Sequence, residues 1–168
     1  LTASGGVLAA SSSGALNLIS TTTADDDSTI QVTGLSGTYS LYLVIGSRLR
    51  PATDGQIGKI SLGDASGIAS GGSDYGFHAE ASVSNSDNYG GNAGTSDAIK
   101  IGSAGVDNAA TSSIGFTAWL HCDGTIDPMM NGTQTFTFGD NDALMYTGSF
   151  GGVRLAGIAV TTVEFYFG

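Results

Sequence analysis

From Tyr39 to Gly46 the chain alternates strictly. Tyr39, Leu41, Leu43 and Ile45 fall on one side of an extended backbone, and Ser40, Tyr42, Val44 and Gly46 on the other. Period-two alternation in aromatic and branched residues predicts a half-buried strand. Gly58, Ile60 and Leu62 resume the pattern with Lys59 and Ser61 opposite. Between the two runs, Pro51 fixes φ and Asp54-Gly55 supplies a left-handed position, so a structural turn is expected at Pro51, Asp54 and Gly55. Tyr75, Phe77, Ala79, Ala81 and Val83 alternate against His78 and Glu80, and Ile114, Phe116, Ala118 and Leu120 against Gly115, Thr117, Trp119 and His121. Phe136 and Phe138, Leu144 and Tyr146, and the run Val160 to Phe167 give three further strands. Leu16 to Ile19, Ser28 to Thr33 and Ala98 to Ile101 give weaker ones.

No segment carries a helical period. Nine or ten short strands with turn signals between them predict an all-β fold, an antiparallel β-sandwich of jelly-roll or Greek-key type. One domain is expected over residues 14–168, preceded by a flexible N-terminal arm over 1–13, where small residues show no period. Ser84 to Asp97, polar and Gly-rich around Tyr89, reads as a long loop, and Ala65 to Gly72 as a shorter one.

Composition narrows the possible roles. Only 12% of the 168 residues are charged and 27 are Gly, yet the apolar share of 40% is that of a folded chain. Five basic against fifteen acidic residues leave a formal charge of −10. Such a surface repels a phosphate backbone and an anionic membrane, so neither nucleic acid nor membrane is an expected partner. No apolar run approaches the ~20 residues of a membrane-spanning helix, and Leu1 to Ala10 lacks the basic flank of a signal peptide. Cys122 has no cysteine to pair with and reads as a small buried hydrophobe.

Residues able to carry chemistry are few and scattered along the chain. His121 and Cys122 are neighbours on one strand and point to opposite faces, so the imidazole cannot activate the thiol. One cysteine cannot found a structural zinc site. Glu80 and Glu164 sit on strands with no cleft between them, and the chain is not expected to be an enzyme. Hard oxygens cluster at Asp140, Asn141 and Asp142, and again at Asp123 and Asp127. A structural calcium ion is therefore the one cofactor worth testing, although acidic residues also serve β-turns directly. Asp25-Asp26-Asp27 reads as a solvated loop. Trp119 points away from the Ile-Phe-Leu face of its strand, towards a second buried layer or an association surface, and together with Tyr75 and Tyr89 it is a candidate stacking residue for a ligand.

The run Arg50-Pro51-Ala52-Thr53-Asp54-Gly55 follows an aromatic alternating strand and the opening Ile30-Gln31-Val32-Thr33-Gly34-Leu35. With Gly151-Gly152-Val153-Arg154 and Ala159 to Phe167 near the end, it resembles a family of small bacteriophage virion proteins of tail type. About a third of the chain carries the likeness. Relatives of that kind continue through a further turn and strand beyond the point matching Gly168, so a last strand missing, trimmed or supplied by a neighbour is expected. The resemblance implies a non-enzymatic structural protein of the virion, in a tail, fibre or head-decoration position. Its partners would be other virion proteins and copies of itself, with a trimer among the expected assemblies, and a host surface glycan is a further expected partner. A secreted or virion-borne carbohydrate-binding module is the alternative.

Overall fold

Alternation becomes architecture in a two-sheet antiparallel sandwich. The computed structural model describes residues 3–10, 16–25, 27–83, 86–138 and 144–168. Its strands are β1 (Ala3–Ala10), β2 (Leu16–Ala24), β3 (Thr29–Thr33), β4 (Leu41–Leu49), β5 (Gly58–Asp64), β6 (Gly67–Ile68) and β7 (Tyr75–Val83). They continue with β8 (Ser86–Ser96), β9 (Ile99–Lys100), β10 (Ile114–His121), β11 (Met129–Phe138), β12 (Leu144–Arg154) and β13 (Thr162–Phe167). The larger sheet runs in the order β2-β1-β4-β10-β11-β12-β7-β8. The smaller runs β3-β13-β5-β6, with β9 also on β5.

Two segments differ from the sequence reading. Residues 3–10, expected within an arm, form β1, which pairs with β2 on one side and β4 on the other. Residues 86–96, expected within a loop, form β8 along β7 from Ser86 to Ser96. Both are poor in the β-branched and aromatic residues that favour an extended chain, with Val7 in the first and Tyr89 and Thr95 in the second. Both are strands because a neighbouring strand offers its free ladder, and such context overrides weak propensity. The shorter expected loop carries the two-residue strand β6, and Tyr89 pairs in register with Ser82.

The core lies between the sheets. From β4 come Tyr42 and Val44, from β10 Ile114, Phe116, Ala118 and Leu120, and from the smaller sheet Ile60, Leu62, Val163 and Phe165, all buried. Phe116 spans the layers: its ring stacks on Phe165 at 5.8 Å and meets Phe150 edge-on at 6.0 Å. Gly46 makes this possible, because a Cβ there would overlap the Phe116 ring. Near the end of β4, Arg48 adopts φ 56°, where the ladder to β10 shifts register and β4 accommodates an extra residue.

The Arg50 to Gly55 run acts as a clamp. Pro51 is buried and Gly55 takes φ 72°. Asp54 Oδ1 accepts from the Asn108 amide at 2.9 Å, Asn108 Nδ2 donates to the Ala52 carbonyl at 3.1 Å, and Gln56 bridges to Val106. The turn therefore holds the connection between β9 and β10 against the body of the sandwich.

Candidate functional site: the outer face of the larger sheet

Alternation that sends Phe116, Ala118 and Leu120 inward sends Thr117, Trp119 and His121 outward. Trp119 is 37% exposed, so it belongs to a surface and not to a second buried layer. Its row can be followed across the sheet by register. Leu18 pairs with Leu8, Leu8 with Leu43, Leu43 with Trp119, Trp119 with Asn131, Asn131 with Gly151, and Gly151 with His78. Among the described residues, the exposed large hydrophobic side chains are Leu16, Leu18, Trp119, Ile126, Met129, Met145 and Leu155. Five of these seven, all but Ile126 and Leu155, occupy outward positions of this one sheet.

Charge avoids the same surface. Of the fifteen acidic residues, Glu80 alone takes an outward register position on the described parts of β4, β7, β10, β11 and β12. Its Oε1 accepts from Ser149 Oγ at 2.7 Å, and its Oε2 lies 3.9 Å from His78 Nε2. The face thus divides in two. Towards β2 and β4 it is apolar, with Leu18, Leu43 and Ile45, and Trp119 on β10 stands at the boundary. Towards β11, β12 and β7 it is more polar, with Asn131, Thr133, Ser149, His78 and Glu80 between Met129 and Met145.

A furrow marks the polar half, and the sequence explains it. Outward positions on β12 shrink from Met145 through Thr147 and Ser149 to Gly151, and Gly76 sits outward on β7. Bulky neighbours on either side leave two adjoining open depressions of ≈ 440 and ≈ 580 Å³, which share His78, Asn131 and Gly151. His121 and Met129 border the first, and Trp119, Thr117, Thr133 and Ser149 the second.

The other sequence-derived candidates fall elsewhere. Tyr75 is fully buried and cannot stack on a ligand: its hydroxyl accepts from the Leu62 amide at 2.7 Å and donates to the Leu62 carbonyl at 3.0 Å. Its place in β7 points it inward, with Phe77 and Ala79. The calcium candidates Asp140, Asn141 and Asp142 lie outside the described residues. Asp123 Oδ1 accepts from Thr125 N, Thr125 Oγ1 and Ile126 N. These bonds hold its carboxyl below the usual carboxylate range and give it a turn-closing role. Sequence reasoning did not single out Asn131, Thr133 or Ser149, and read Gly151 only within the run that carries the family resemblance. Only the pairing of β10, β11, β12 and β7 brings them beside Trp119.

Burial pushes the Cys122 thiol up to about 11, reinforced by neighbouring Asp123, so the thiolate is scarce at neutral pH. Burial also raises the Tyr42, Tyr75 and Tyr166 phenols. All four groups are neutral when folded and ionise more readily when unfolded. Their contribution to stability is therefore complete below the ordinary thiol and phenol range and is lost as pH climbs through the raised folded values. Urea midpoints are expected to stay level towards pH 9 and to fall between pH 9 and 11. A midpoint that rises over that interval contradicts the burial of these groups.

Comparison with family profiles, curated proteins and solved structures gives no match.

Proposed function

We propose that the chain is a non-enzymatic structural component of a bacteriophage virion that works by association between copies through the apolar half of the larger sheet. The virion setting rests on the resemblance carried by Arg50 to Gly55 and the closing strand. The mode of action rests on one observation: a sandwich with a complete core of its own still presents exposed Leu16 and Leu18 beside half-buried Leu43 and Ile45 on its outer face. Contiguous exposed apolar surface of this kind marks contact sites.

Charge favours a second copy as the occupant. Two chains of −10 repel one another wherever their acidic loops meet. The face that carries almost no carboxylate is where two copies approach at least cost. Like surfaces can then meet about a two-fold axis, or be shared around a ring of higher order.

Light scattering during size exclusion tests the proposal. The wild-type chain is expected to travel as an oligomer, and Leu18→Asp or Leu43→Asp to shift it to the mass of one chain with its circular dichroism retained. A monomeric wild type, or an oligomer indifferent to both substitutions, overturns association through this face. Antibody labelling of intact particles tests the virion location separately.

The furrow favours a second reading, a carbohydrate-binding role, which can coexist with the first because it uses the other half of the face.

A further inference from the structure

We infer that the furrow between Trp119 and His78 is a binding site for a neutral saccharide. The inference does not depend on self-association, which uses the β2–β4 part of the sheet and leaves Trp119 at its boundary.

Its shape comes from missing side chains. Gly151 forms the shared floor, and a Cβ there would already press on the Met130 carbonyl oxygen at 3.2 Å. The outward row from Trp119 through Asn131 and Gly151 to His78 crosses three inter-strand spacings, about 14 Å at ~4.8 Å each. A sugar ring can lie over the glycine with the indole at one end and the imidazole at the other.

The chemistry selects the ligand class. A pyranose has an apolar C–H face and a rim of hydroxyls that both donate and accept. Trp119 supplies an exposed aromatic surface for the first. Asn131 supplies a carbonyl oxygen and an amide nitrogen for the second, and the Thr117 and Thr133 hydroxyls flank the indole. Among the described residues, no lysine or arginine lines the furrow to pair with a phosphate, a sulfate or an acidic peptide, and His78 already faces Glu80. The carboxylate of this face, Glu80, already accepts from Ser149. Such an arrangement discriminates against charged ligands, since a desolvated charge would find no partner. It also suits a protein whose overall charge of −10 repels anions at long range.

Trp119 is the only tryptophan in the chain, so intrinsic fluorescence at a fixed protein concentration reads the indole that borders this furrow. The probes are an array of neutral hexose and N-acetylhexosamine oligosaccharides beside sialylated and sulfated counterparts, followed by fluorescence titration with the strongest neutral binder. The expected result is saturable binding to neutral glycans, accompanied by a shift in Trp119 emission. Asn131→Ala and Trp119→Ala are each expected to weaken binding at least tenfold. Both side chains point outward, and an unchanged thermal melt confirms that the variants are folded. Leu18→Asp is expected to alter oligomer size while glycan affinity holds. Absence of any neutral binder, preference for the sialylated or sulfated series, or binding that survives both alanine variants overturns the assignment. A monomeric wild type that still binds neutral glycan would overturn the association reading and leave this one standing.

Discussion

Tyr75→Phe is expected to cost the protein about 1–3 kcal/mol, the penalty for stranding a buried backbone donor. The reason lies in β5. β13 lines one edge of that strand from Gly58 to Gly63, while the other edge pairs with β9 at Lys59 and Ile60 and with β6 at Gly63 and Asp64, leaving the stretch between open on that side. The Leu62 amide meets the Tyr75 hydroxyl instead, and the Leu62 carbonyl accepts from that hydroxyl and from the Ala69 amide. Since Tyr75 belongs to β7 in the larger sheet, this single phenol repairs the ladder of one sheet from the other. Tyr75→Ala also removes the ring and is expected to cost about 3–5 kcal/mol, the range for large aromatic deletions in cores. Urea denaturation monitored by circular dichroism measures both. A ligand-contacting tyrosine would behave differently, with stability preserved and binding lost.

Gly148→Ala is expected to be nearly as damaging although it adds only a methyl group. An added Cβ would overlap the Glu80 carbonyl oxygen and come within 2.7 Å of Ala81 Cα, so β7 and β12 would have to separate. Overpacking against backbone typically costs about 1–3 kcal/mol. The site beside it should suffer as well. Glu80 and Ser149 flank this contact, and Gln134 Nε2 donates to the same carbonyl at 3.2 Å. Denaturation midpoints test the first effect. The second would appear as altered amide resonances at Glu80 and Ser149 in Gly148→Ala, with Leu18 on the far side of the sheet unaffected.

The fold was legible where apolar and polar residues truly alternate. In β10 the expected inward set of Ile114, Phe116, Ala118 and Leu120 is the buried one, and Trp119 faces out. In β4 the same pattern does not reveal which face is inside. The more aliphatic set, Leu41, Leu43 and Ile45, lies on the outer surface, while Tyr42 and Val44 are in the core. Both faces of that strand are apolar, so period alone cannot rank them, and a second apolar face is what an association surface looks like in sequence. Tyr75 and Trp119 looked alike as candidate contact residues, and only their positions on β7 and β10 separate a buried strut from an exposed platform. The furrow was illegible for another reason. It is made by residues far apart in sequence, and by Gly151, whose contribution is the side chain it lacks.

The strand order also sets when the molecule can be completed during synthesis. β4 finds one neighbour early, in β1, but its other flank waits for β10, and β7 waits for β12. Until residues 114–167 have emerged, the nascent chain carries four unsatisfied strand borders, on β4 and β7 of the larger sheet and on β3 and β5 of the smaller, and an unfinished core. Non-local pairing of this kind slows folding and prolongs exposure to intermolecular pairing. Crowded synthesis of many copies is therefore the stage at which this protein is most vulnerable, well before it meets any partner.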